Sequence, residues 1–155
     1  MSRIHLAKRT RIWINCVGSG VWATGVGWLI AHYFIKSQDA FGLPSSAELW
    51  WLKAHGGFAL LATWTGGLLW SMHVVKAWTR GVHRWSGGAL LGSLLLLIVS
   101  GYLLYYVGDE RARDVVSLTH WILGLAIPLA YLTHRIAKRI GRPRLRAQGD
   151  PLPPA

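Results

Sequence analysis

Residues Leu118–Arg139 read LTHWILGLAIPLAYLTHRIAKR, with two histidines set inside an apolar run. The uncharged part, Val115–His134, has the length of about 20 residues that a helix needs to cross a hydrocarbon layer roughly 30 Å thick. His120 and His134 are fourteen positions apart. At about 100° and 1.5 Å per residue, that spacing puts both rings on one helix face and about 21 Å apart along the axis. A polar ring turned toward lipid is costly, so these two rings point into the protein and are functional candidates. For any one of them alone, a structural hydrogen bond is the plain alternative.

The rest of the chain has the same character. Of its 155 residues, 52% are hydrophobic, and the mean hydropathy is positive, too apolar for an ordinary soluble domain. Three more stretches lack Asp, Glu, Lys and Arg over a spanning length: Ile12–Ile35, Ala54–Val75 and Trp85–Val107. The sequence therefore predicts an all-α membrane protein, a four-transmembrane-helix bundle with helices over about 12–35, 48–78, 82–107 and 114–139. It leaves a basic arm at 1–11 and a basic tail at 140–155 whose composition reads as disordered. Ser45 with Glu48 forms a capping-box pattern ahead of the second span, Gly81 breaks the chain before the third, and Asp114 is the expected cap of the fourth. The first span is too long for a removable signal peptide and lacks a cleavage pattern, so it reads as an uncleaved helix.

The net charge of +11 is unevenly placed. With four crossings, the N-terminal arm, the loop Lys76–Arg84 and the C-terminal tail share one side and hold thirteen Lys and Arg against one acid, Asp150. The other side holds Lys36, Lys53, Arg111 and Arg113 against five acids. The positive-inside rule then puts both termini in the cytoplasm. This pattern explains the basic charge by membrane orientation and contact with anionic lipid, without a nucleic-acid partner. The single cysteine, Cys16, excludes a disulfide framework and a four-cysteine metal site. Tryptophans and tyrosines at the span ends form an interfacial aromatic belt, and Ala23, Gly27 and Ala31, with Gly88 and Gly92, make small-residue faces for close helix contact.

Six of the seven histidines lie in or at the ends of the spans. His32, His55 and His120 fall near the outer face, and His73, His83 and His134 near the inner face. His5, in the basic arm, has no special claim. His55 and His73 are eighteen apart, five whole turns of an unbroken helix, and so share a face of the second span. Two helices would thus each present an outer and an inner imidazole, and a haem iron takes two axial ligands on opposite sides of its ring. Gly56, Gly57, Gly66, Gly67 and Gly124 supply room near these positions, where a wide ring or another helix approaches. Pro128 removes a backbone hydrogen bond midway between His120 and His134, which predicts a kink there.

THWILGLAIPLAYLTH in the fourth span, KAHGGFALL with WSMHVVKAW in the second, and HRWSGG with SGYLLYY in the third resemble bacterial di-haem cytochrome b membrane proteins. That group includes the cytochrome b561 type and the cytochrome b subunits of respiratory dehydrogenases and hydrogenases. The resemblance covers about residues 12–139 and implies two non-covalent b-type haems in a four-helix core of the bacterial inner membrane. It also implies electron transfer between a quinone or quinol and a redox partner protein. By resemblance, His55 with His120 holds the outer haem and His73 with His134 the inner one. The helix-two interval is one turn longer than that of helix four, so His83 remains an alternative to His73, and His32 an alternative to His55. Arg84, Arg135 and Lys76 at the inner face, and Lys53, Arg111 and Arg113 at the outer, are candidate partners for haem propionates. Two other function classes compete: a haem-free proton or metal transporter that uses the histidines directly, and a structural anchor subunit. The spans contain no Asp or Glu, which proton relays commonly use together with histidine. No nucleotide-binding glycine motif or nucleophile constellation is present, so the chain is expected to need a partner for net chemistry.

Overall fold

A computed structural model describes residues 7–35, 43–79 and 84–140. His5, His83, Lys36, Gly81 and the tail beyond Ile140 lie outside these residues. Helix α1 runs Lys8–Phe34, α2 Ser46–Leu69, and a π-helical segment, Trp70–Val74, joins α2 to α3, Val75–Thr79. Helix α4 runs Arg84–Tyr106 and α5 Glu110–Ile140. The described residues contain no strand, in keeping with the expected all-α class.

Three of these helices, α1, α4 and α5, are long and apolar enough to cross a membrane. In hydrocarbon the backbone has no water to bond, so a continuous helix is the one open structure that satisfies every N–H and C=O. Helix α2 carries Lys53, His55, Thr63, Thr65 and four glycines along its length.

The helix ends refine the sequence boundaries. Helix α1 begins at Lys8, four residues before the uncharged stretch, so its first turn carries Lys8, Arg9 and Arg11. Ser45 caps α2 by accepting from the Glu48 amide at 3.2 Å, while the Glu48 carboxylate reaches across to His32. The expected cap of the last helix is corrected. Helix α5 starts at Glu110, and Asp109 accepts from the Ala112 amide at 2.8 Å; Asp114 lies one turn inside the helix. The earlier residue wins because Asp109 stands three positions before a free amide, which is the N-cap geometry. Helix α5 continues through Pro128 without a break.

The chain packs as two antiparallel hairpins, α1 with α2 and α4 with α5, which meet chiefly along α1 and α5. On the first seam, Gly20, Thr24, Gly27 and His32 of α1 face Phe58, His55, Trp51 and Glu48 of α2 in order. Gly20 and Gly27 let aromatic rings lie where a side chain would stand: a Cβ at Gly27 would be 2.7 Å from the Trp51 ring. On the second seam, Ser86, Leu97 and Ser100 of α4 face His134, Gly124 and His120 of α5. The two hairpins are tied by Tyr131, whose hydroxyl donates to Asn15 Oδ1 at 2.9 Å.

Burial is inverted relative to a water-soluble bundle. The buried residues are Val17 and Ala31 together with the hydroxyl-bearing Thr24, Thr65 and Ser100. Large apolar side chains such as Leu60, Trp64, Val99 and Leu129 are exposed around the outside. Such a surface suits lipid, where interior contacts rest on small residues and hydroxyls because there is no hydrophobic drive between helices. Thr65 shows the pattern: it donates to Leu61 O at 2.7 Å and accepts from Trp13 Nε1 at 3.0 Å, linking α2 to α1.

Candidate functional site

Two of the six histidines singled out in the spans meet directly. The rings of His55 on α2 and His120 on α5 lie with centroids 6.2 Å apart and planes at 90°. They come from different hairpins, so the contact exists only once the two halves of the chain assemble. Both side chains are half-buried.

Each ring is held from behind. His55 Nδ1 is 3.0 Å from the carbonyl oxygen of Val21 and 3.3 Å from Thr24 Oγ1. A carbonyl can only accept, so Nδ1 of His55 carries the proton and donates it. Thr24 spends its own hydrogen on its helix, toward Gly20 O at 2.7 Å and Val21 O at 3.0 Å. His120 Nδ1 lies 2.9 Å from Ser100 Oγ. The Ser100 hydroxyl donates to Leu96 O at 2.7 Å, which leaves its oxygen to accept from Nδ1–H of His120. In both rings the other nitrogen, Nε2, is then the one with a free lone pair, the form that ligates a metal.

Glycines let the rings sit close to the opposing helix. A Cβ at Gly25 would stand 3.1 Å from the His55 ring, and one at Gly101 would stand 3.2 Å from the His120 ring. Toward the other end, His134 Nδ1 is 3.2 Å from Ser86 Oγ, and Gly87 faces its ring at 3.6 Å. The sequence reading missed Thr24, Ser86 and Ser100 and the glycines that follow them. A signal for two of them was present: Ser-Gly at 86–87 and again at 100–101 repeats the fourteen-residue interval of His120 and His134.

The remaining candidates sit as follows. His73 is half-buried within the π segment, with its Nδ1 buried. The expectation that His55 and His73 share a face assumed an unbroken α-helix. A π turn holds an extra residue, seen in the Val75 amide bonding Trp70 O, so His73 lags behind the position that five α-turns would give it. His32 lies at the end of α1 with its side chain 44% exposed; its Nδ1 is 2.7 Å from Glu48 Oε1, and Trp28 stacks on its ring at 4.8 Å. The alternative outer ligand is therefore engaged with α2 rather than placed against His120. His83, the alternative inner ligand, is outside the described residues. Arg84 donates through Nε and Nη2 to Trp78 O at 3.1 and 2.9 Å, closing the end of α3. The Arg135 guanidinium lies over the Tyr131 ring at 5.6 Å, and Lys53 over Trp50 at 5.2 Å.

Gly56, Gly57, Gly66 and Gly67 have no described neighbour within 4 Å of a built Cβ, and Gly124 touches Leu97 at an ordinary 3.9 Å. Helix packing therefore accounts for Gly20, Gly25 and Gly27 but not for those four in α2.

Two imidazoles that each hold a proton on Nδ1 are a donor set that could hold a metal or a haem iron. The His55 and His120 ring centroids stand 6.2 Å apart. Among the described residues no group of three or more His, Cys, Asp or Glu converges, whereas two axial imidazoles suffice for haem. Comparison with known proteins finds no family model that matches the sequence, no similar curated protein and no similar solved structure.

Proposed function

We propose that the chain is a di-haem cytochrome b of the bacterial inner membrane that carries electrons between a quinone or quinol pool and a redox partner protein. In this reading all four long helical segments span, α2 with its π segment and α3 being the second crossing. Both termini are cytoplasmic. His55 and His120 are the axial ligands of the outer haem, and His73 and His134 those of the inner one, each haem bound without covalent attachment. The observation that supports it most is the His55–His120 pair, two imidazoles from different hairpins with ring centroids 6.2 Å apart, each holding its proton on Nδ1.

The protein's own part follows from that geometry. Two b-type haems held by His55 with His120 and His73 with His134 would supply one-electron carriers across the low-dielectric layer. Val21 O and Ser100 Oγ fix the imidazole tautomers and raise the basicity of Nε2. The antiparallel seam of α4 and α5 keeps His120 and His134 at opposite depths. An apolar cleft of about 310 Å³ between α1 and α5 includes Tyr33, Phe34, Trp121 and Leu125, and Trp121 follows His120 in sequence. It offers a quinone ring a lipid-side approach to the outer pair. Basic residues at both ends favour the negatively charged propionates.

A reduced-minus-oxidised visible spectrum of the purified full-length chain in detergent tests the reading, together with a pyridine haemochrome assay. The expected result is a sharp b-type band and about two haems per chain. A ratio near one would leave the outer pair and remove the inner site. A featureless spectrum after expression with haem supply rejects the proposal in favour of a haem-free transporter or an anchor.

A further inference from the structure

The α4–α5 seam holds the same small unit twice. At one end Ser100 bonds the ring of His120 and Gly101 lies against it; at the other Ser86 bonds the ring of His134 and Gly87 lies against it. The serines are fourteen residues apart on α4, the histidines fourteen apart on α5, and the helices run antiparallel, so one register serves both ends. The α1–α2 seam carries a third copy, with Thr24 and Gly25 behind His55. In each case a hydroxyl residue precedes a glycine. The hydroxyl reaches Nδ1, and the glycine, lacking a Cβ, lets the ring come close enough for the bond to form.

A serine or threonine inside a helix can give its hydrogen to a carbonyl of the preceding turn and still accept with its oxygen. Ser100 and Thr24 both do so. An oxygen used this way selects the Nδ1–H tautomer and leaves the lone pair on Nε2.

We propose that Ser100, Ser86 and Thr24 are positioning residues that hold His120, His134 and His55 as Nδ1–H tautomers, presenting Nε2 of each ring to a ligand. His55 and His120 each also have a backbone acceptor three residues before the hydroxyl, Val21 O for His55 and Leu97 O for His120, so hydroxyl and carbonyl hold each ring together. In the function proposed above, Nε2 is the nitrogen given to the haem iron; the tautomer assignment stands on the hydrogen bonds for His120 and His55 and on the repeated unit for His134, and can be tested without haem.

The test is nitrogen NMR of isotope-labelled histidine in the full-length chain in detergent, with the His120 signal identified by its loss in His120→Gln. In wild type, neutral His120 is expected as one tautomer, protonated on Nδ1. Ser100→Ala leaves the Leu97 carbonyl as the remaining acceptor and should add a measurable Nε2–H population, Ser100→Thr should keep the single form, and Ser93→Ala should change nothing, because Ser93 bonds Ala89 O of its own helix. If Ser100→Ala does not fold, Ser86→Ala read at His134 gives the same comparison. On haem-loaded protein, Ser100→Ala should weaken retention of one haem by about 10- to 100-fold and raise its midpoint potential, since a ligand without its hydrogen-bond acceptor is less basic. A single Nδ1–H tautomer in Ser100→Ala overturns the inference even if haem binds. Loss of that tautomer in a chain that binds no haem upholds it and defeats only the haem reading.

Discussion

His120 and His134 share a helix, but each is supported by a different turn of α4, so their losses should be separable. If the chain holds the two haems proposed above, replacing either with Ala is expected to remove one and leave the other, because deleting a ligand would open one iron without touching the second seam contact. His55→Ala should give the spectrum of His120→Ala, as their rings face each other at 6.2 Å. Redox-difference spectra of the three variants check this. If His32→Ala rather than His55→Ala reproduces the His120→Ala spectrum, the outer pairing is wrong. Glycines give a second residue-scale test. Gly27→Ala forces a methyl into the Trp51 ring and should cost about 1–3 kcal/mol, the usual penalty of overpacking, while Gly57→Ala meets nothing within 4 Å and should be neutral or slightly stabilising. Thermal melts of the two variants in one detergent compare them directly.

At the scale of the helix, ends and interruptions are set by single polar groups. Asp109 satisfies an orphan amide of the first turn of α5, so Asp109→Ala should destabilise the protein by about 1 kcal/mol, and Asp114→Ala by clearly less. A pair of melting curves separates the two. The π segment at Trp70–Val74 shows the limit of reading a helix by 100° steps: one extra residue per turn is invisible in a hydrophobic pattern, yet it rotates everything beyond it. The eighteen-residue interval from His55 to His73 therefore differs in meaning from the fourteen-residue interval on α5, which no such turn interrupts between its histidines.

For the whole molecule, assembly is the joining of two hairpins along α1 and α5, whereas orientation is a matter of charge. The proposed topology rests on the lopsided distribution of Lys and Arg, thirteen on one side against four on the other. Reporter domains fused after Arg80 should read as cytoplasmic and those after Gly108 as external. The reverse pattern would exchange every inner and outer label while leaving the histidine pairing as it is. The inverted burial, with Thr24, Thr65 and Ser100 inside and tryptophans and leucines outside, predicts that the chain aggregates when detergent is withdrawn. Light scattering on dilution below the micelle concentration follows that transition.

Much of this was legible in the residues themselves. Uncharged runs of spanning length dictate helices because a backbone in hydrocarbon must bond to itself, and the fourteen-residue spacing of His120 and His134 fixes a common face because α5 is regular between them. The Ser45 cap was legible for the same reason, being local in sequence. Tertiary structure alone decided which histidine meets which. His55 rather than His32 reaches His120, because the α1–α2 register gives His32 to Glu48 and sets His55 against Val21 and Thr24. It also decided the tautomers, since a ring nitrogen takes its proton according to an acceptor that lies tens of residues away in sequence and one hydrogen bond away in space.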